Sequence, residues 1–166
     1  VSVGAFAVVQ KGAIVGKDAV IESHSIIKAS TRIGHCTKVG HFSVLGGLPQ
    51  HLGFDPATNS FVKIGNNVRI GEGVTVHRSI YPEGSTSVGD HCFMMGNSHI
   101  AHDCKVGNSV VLANGALLGG HVELDGHVFV GGGAALHQFV RVGEGAMIGG
   151  LAEVSMDVPP NVTVSG

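Results

Sequence analysis

The chain has no tryptophan and a single tyrosine among its 166 residues. Charge is scarce too: Asp, Glu, Lys and Arg make up 13%, about half the roughly 25% of an ordinary domain. Ten basic residues against twelve acidic ones leave a formal net charge of −2, which argues against an electrostatic nucleic-acid binder. At 43% hydrophobic, the chain is too apolar and too weakly charged to be disordered. No apolar run reaches the ~18 residues that a membrane-spanning helix needs. The three cysteines, Cys36, Cys92 and Cys104, include no CxxC pair. With no signal-peptide pattern, they speak against a disulfide scaffold and for the reducing cytoplasm. The chain starts at Val1 rather than at a methionine, so residues upstream are expected.

Glycine is abundant: 27 of 166 residues, against a usual share of about 7%. It does not recur every third residue, so collagen is excluded. The order lies in another period. An aliphatic residue stands at 3, 9, 15, 21, 27, 33, 39 and 45, then at 64, 70 and 76. After a miss at Pro82 the series returns at Val88 and continues through Met94, Ile100 and every sixth residue to Val154, for twenty-three positions in all. The residue two before is small or β-branched, as at Ala7, Ala19, Ser25, Thr31, Val68, Val110 and Ala116, and the residue after is often glycine, as at Gly4, Gly16, Gly34 and Gly119. Residues i−2 and i share one face of a strand. Each hexapeptide therefore reads as a short strand with one small and one large inward residue. A glycine-rich corner follows, where the expectation is an unusual φ. An antiparallel sandwich would need irregular spacing and hairpin turns.

This pattern resembles the hexapeptide repeat of left-handed parallel β-helices, in which three hexapeptides make a triangular coil of about 18 residues. The expectation is an all-β solenoid of about nine coils over residues 1–166. Two loop excursions interrupt it, at 46–63 (GGLPQHLGFDPATNSFVK), which shifts the register by one, and at 81–87 (YPEGSTS), which keeps it. Pro49, Gly53, Asp55 and Pro56 mark the first as loop, and loops on a rigid scaffold are where binding residues gather.

Coils of about 18 residues set residue i beside i+18, about 4.8 Å away. No two of the eleven histidines are 18 apart, which argues against a zinc site built by one chain. One cluster does form on this stacking. His102 falls beside Gly120, Asp103 beside His121 and Gly119 beside His137, with His99 close by. Three imidazoles, a carboxylate and bare glycine backbone then share one patch. A neutral imidazole can take a proton from a sugar hydroxyl as it attacks a carbonyl. An adjacent carboxylate can hold the ring's tautomer, and a glycine N–H can stabilise an oxyanion.

The stretches HIAHDC (99–104), LANGALLGGHV (112–122), AALHQFVRVG (134–143) and DVPP (157–160), with VTVHR (74–78), resemble the UDP-N-acetylglucosamine O-acyltransferase family of lipid A synthesis. The resemblance implies a homotrimer with active sites between subunits. It also implies metal-free transfer of an (R)-3-hydroxyacyl group from acyl carrier protein to the sugar 3-hydroxyl. It makes His102 the general base, Asp103 its orienting residue and Gly120 the oxyanion donor. Gln50, His51, His99, His121, His137 and Gln138 would line the substrate site, and Gly150 would end the acyl-chain pocket and leave room for a longer chain.

Two departures stand out. Gln50 matches the family's first loop, but His51 replaces its Asp and Gly53 its Lys. The acceptor could then be a 3-amino sugar nucleotide. The family's helical C-terminal domain has no counterpart before Gly166, which prompts the reading of a fragment or a short, non-catalytic relative. A γ-class carbonic anhydrase shares the β-helix, but its three-histidine zinc pattern is not matched. Lys63, Arg69, Arg78, Lys105 and Arg141 form no basic run and read mainly as scattered solubilising charge.

Overall fold

A computed structural model describes residues 1–166. Twenty-four short strands and no helix wind into a left-handed parallel β-helix. Its three flat faces are parallel sheets of nine, eight and seven strands. Most strands are two residues long, with the first side chain turned outward and the second inward. In His99–Ile100 and Leu117–Leu118, for example, Ile100 and Leu118 are fully buried. The inward residues form one continuous core of 34 side chains. Burying each aliphatic stabilises the solenoid by roughly 1.5–3 kcal/mol. Small residues such as Ala116, Val122 and Ala134 fill the space beside them and are equally buried. The first coil lacks a neighbour on one side, and Val3 and Val9 there stay exposed.

The corners correct one expectation. Except for Gly46 at the start of the first loop, the glycine that follows each aliphatic has no left-handed φ. It is required because adjacent coils touch there: a Cβ on Gly16 would stand 2.5 Å from the carbonyl carbon of Gly34. The left-handed residue comes two positions later. Asp18 (58°), Asp103 (62°), His121 (62°) and Phe139 (68°) occupy this slot, as do Gly12, Gly73 and Gly115. Polar and aromatic residues thus hold many of the corners, and their side chains project sideways from the coil.

The stacking distance is corrected as well. Ile21 pairs with Val39 and Ile100 with Leu118, 18 residues on. Across the first loop, however, Val39 pairs with Ile70 and Leu45 with Val76, 31 residues on. Across the second, Ile70 pairs with Met94 and Val76 with Ile100, 24 residues on. The second excursion adds one repeat length of chain. The sequence phase survives while the three-dimensional neighbours change.

The three outer faces differ in chemistry. The seven-stranded sheet presents Arg32, Lys63, Lys105, Glu123 and Arg141. The nine-stranded sheet presents Val111, Phe129 and Met147 toward its C-terminal end. The eight-stranded sheet presents Ile26 and Val44 and, further on, His99, Leu117 and Ala135. No helix is long and apolar enough to cross a membrane.

Candidate active site

The corner that leaves the eight-stranded sheet carries His102–Asp103 on one coil, Gly120–His121 on the next and Gln138–Phe139 on the one after. Asp103, His121 and Phe139 are its left-handed residues, so their side chains stack in a column. The backbone joins the coils here, with His121 N–H donating to the His102 carbonyl at 3.0 Å.

His102 is 9% exposed. Its Nδ1 lies 2.9 Å from Asp103 Oδ2. A carboxylate partner requires Nδ1 to carry the proton, so Nε2 faces the cleft with its lone pair free. Asp103 is itself held. Ser79 Oγ donates to Oδ1, Ile80 N–H donates to Oδ2 at 3.1 Å, and Asp103 N–H donates to Thr86 Oγ1 at 2.7 Å. Ser79 is fully buried and accepts Tyr81 N–H at 3.0 Å, which leaves its hydroxyl proton for Asp103.

Gly120 lies against the other side of the imidazole. A Cβ there would stand 2.7 Å from His102 Cε1 and 2.8 Å from Nε2, so only glycine leaves room for the ring. The Gly120 N–H makes no hydrogen bond within the chain.

Further imidazoles surround this pair. His121 stacks on Phe139 with ring centres 4.4 Å apart and meets His102 edge-on at 5.2 Å. His51 reaches over from the first loop and meets the His102 ring edge-on at 5.7 Å. His99 is bonded through Nδ1 to Thr75 Oγ1 at 2.7 Å and abuts His77 at 4.7 Å. Burial, reinforced by the charges His99 and His102 would carry, pushes the His77 pKa from 6.5 down to about 4. Burial also lowers His99. It lowers His121 too, where Asp103 pulls the other way and His102 and His51 add to the lowering. His77, His99 and His121 are therefore each biased toward the neutral ring.

His77, His99, His102 and Gly120 border a cleft of about 640 Å³ on the eight-stranded face, with Gln50 and Gln138 among its other walls, whereas His51 and His121 flank His102 outside it. His137 does not line it: its side chain is exposed and its Nδ1 faces the Gln138 carbonyl at 3.2 Å. Gly150 lies at a different corner, between the nine- and eight-stranded sheets. A Cβ there would meet only Gly132, no closer than 3.4 Å, so the space beside it is open. Arg78 straps the first loop down. It donates to the carbonyls of Thr58 at 2.5 Å and Pro56 at 2.9 Å and covers the Phe54 ring at 5.2 Å.

Sequence spacing missed Thr75, His77 and Ser79. They join the site through the 24-residue offset, which sets Thr75 beside His99 and carries Ser79 to Asp103. The break at Pro82 was the available signal, since a hexapeptide without an inward aliphatic is extra chain. Spacing brought His99, His102 and His121 into one patch but gave no place beside them to His51 or His77. Those two arrive through the first loop and the 24-residue offset, which the 18-residue stacking did not cover.

Comparison with known proteins places the fold in a family. The family profile described as the GMPPB C-terminal domain matches residues 55–138. The acyl-[acyl-carrier-protein]–UDP-N-acetylglucosamine O-acyltransferase of Halorhodospira halophila is 41% identical over 125 residues, which cover 75% of this chain and 48% of that protein. The chain thus spans about half the length of that relative. The UDP-N-acetylglucosamine acyltransferase structure from Francisella novicida superposes with a TM-score of 0.95 at 34% identity, covering 99% of this chain and 62% of that one. The enzyme from Campylobacter jejuni superposes at 0.82 with 37% identity, covering 96% and 69%. With a shared fold, this level of identity and a relative covered over more than two thirds of its length, the chain belongs to the UDP-N-acetylglucosamine acyltransferase family.

Proposed function

We propose that this protein transfers an (R)-3-hydroxyacyl group from acyl carrier protein to the 3-hydroxyl of UDP-N-acetylglucosamine, the opening step of lipid A synthesis in the cytoplasm. The observation that carries this reading is the His102–Asp103 pair at 2.9 Å, with Nε2 open to a cleft bordered by Gly120. His102 Nε2 removes the proton of the sugar hydroxyl as its oxygen attacks the thioester carbonyl. Asp103 fixes the tautomer and stabilises the imidazolium. The Gly120 N–H, unbonded within the chain, stabilises the oxyanion. As the C–S bond breaks, the imidazolium returns its proton to the leaving thiolate. None of these steps needs a metal or cofactor.

Gln50, His99, His121 and Gln138 position the acceptor, and Gly150 leaves space for the end of the acyl chain. His137, exposed beside the cleft, serves at its rim. The apolar nine- and eight-stranded faces support a homotrimer, because packing them against copies of the chain removes Leu117, Phe129 and Met147 from water while the charged third face stays solvated.

The test is acyl transfer in vitro from a panel of 3-hydroxyacyl carrier proteins, with His102→Ala as control. Transfer that disappears in the variant is the expected result. Transfer that survives in the variant defeats the assignment of the base. His51 over the base, where the family carries an Asp, favours a second acceptor, the 3-amino analogue of the sugar nucleotide. Faster turnover of the amine in the same assay would select it.

A further inference from the structure

We propose that the protein also binds one divalent transition-metal ion of the zinc class between His102, His121 and His51, at the edge of the cleft, and that the ion silences the catalytic base. The silencing rests on the function proposed above, whereas the binding does not.

Three imidazoles meet here with nitrogens to spare. His102 commits Nδ1 to Asp103 at 2.9 Å, so its Nε2 is an unprotonated donor facing the cleft. A carboxylate on the far nitrogen of a metal-binding imidazole is the usual outer support of a zinc ligand. Ser79 and Ile80 occupy the Asp103 carboxylate from behind, which suits that supporting role. His121 makes no side-chain hydrogen bond within the chain, and its ring plane is set by stacking on Phe139 at 8°. His102, Asp103 and His121 each offer a ligand atom, all within 4.8 Å of one another. His51 accepts Gly53 N–H on Nδ1 at 3.2 Å and keeps Nε2 for a ligand. It sits on an exposed loop, where its ring can turn.

The spacing fits a single ion. Two imidazoles bound to one tetrahedral zinc at about 2.0–2.1 Å hold their ring centres roughly 5 Å apart. The observed separations from His102 are 5.2 Å to His121 and 5.7 Å to His51. Small ring rotations complete the set, and a water fills the fourth position. His99 is tied to Thr75 and does not take part. Neutral nitrogen donors select zinc, copper or nickel over magnesium or calcium. The bound ion occupies the Nε2 lone pair that must receive the substrate proton, so metal binding and catalysis exclude each other.

The experiment uses untagged, chelator-stripped protein. Zn²⁺ is titrated in competition with a chromogenic chelator, and Co²⁺ is added separately for its visible spectrum. The expected result is one ion per chain and the intense cobalt absorption of a four-coordinate site. His51→Ala and His121→Ala each weaken binding by roughly tenfold or more, while His127→Ala, at another corner, changes nothing. His51 is exposed on a loop, so its variant carries the test even if His121→Ala fails to fold. Zn²⁺ inhibition of transfer should follow the cobalt-monitored occupancy and reverse with chelator. Binding that His51→Ala and His121→Ala leave unchanged, or a six-coordinate cobalt spectrum, overturns the site. Binding as expected in a protein that transfers no acyl group upholds the site and defeats the function proposed above.

Discussion

Replacing Gly120 with alanine tests the central geometric claim. The new Cβ would sit 2.7 Å from His102 Cε1, where ordinary contact begins near 3.4 Å, so the ring must retreat by about 0.7 Å. It has little room to do so. His102 is 9% exposed, and on its other side Asp103 is pinned by Ser79 and Ile80. The backbone at Gly120 has no left-handed φ, so alanine adds no conformational strain there. A shift near 1 Å at a reacting group costs about 10²-fold in rate, and overpacking costs about 1–3 kcal/mol. The expected outcome is a kcat lowered about 100-fold with KM for the sugar nucleotide nearly unchanged. The melting temperature should fall by about 2–4 °C per kcal/mol lost. Steady-state transfer and a thermal melt read both quantities. Gly126→Ala is the control: Gly126 holds the same slot one corner later, where a Cβ meets nothing closer than 3.5 Å, and it should behave as wild type. A Gly120→Ala protein with wild-type kcat and melting temperature would refute the idea that His102 is clamped between Asp103 and this backbone.

Other predictions follow from the same structure. Asp103→Asn removes the carboxylate charge and lets an amide N–H face His102 Nδ1, which no longer fixes the tautomer, and it should lower kcat by about 10²–10⁴-fold with KM little changed, as read by steady-state kinetics. Acid should weaken the fold, because His77, His99 and His121 all have lowered pKa values in the native state, His77 down to about 4. Between that value and the usual 6.5, the unfolded chain binds more protons than the folded one. Their stabilising effect is full above 6.5 and is lost as pH falls toward 4. Urea midpoints at several pH values should drop across this window, and His77→Phe should flatten the drop. Ile100→Ala empties a fully buried site and should cost about 2–5 kcal/mol by denaturant unfolding. Arg78→Ala frees the first loop from its two carbonyl bonds and from Phe54, so limited proteolysis should cut within 46–63 faster while the coils stay intact.

Much of the architecture was legible in the chain because a solenoid is nearly one-dimensional. Each hexapeptide buries its aliphatic against the next coil, so the period in sequence is the period in space, and Ile100, Leu118 and Leu136 could be placed without coordinates. The same logic set His102 beside Gly120 and Asp103 beside His121, since no insertion separates those coils. It failed where chain was added. The 81–87 excursion lengthens its coil by one repeat, from 18 to 24 residues, so its phase gave no warning that Ser79 would reach Asp103 or Thr75 reach His99. The role of glycine was also misplaced: close approach of coils excludes a Cβ at Gly16, while the left-handed strain is carried by Asp103, His121 and Phe139.

The sequence by itself determined the fold, the core and the pairing of His102 with Gly120 and of Asp103 with His121, because these depend on local repetition and nearest-neighbour stacking. Only the tertiary structure decided how Asp103 is held, that His51 reaches over His102, that His137 turns outward and that five imidazoles become neighbours. Those contacts depend on loop paths and side-chain directions, which no period encodes.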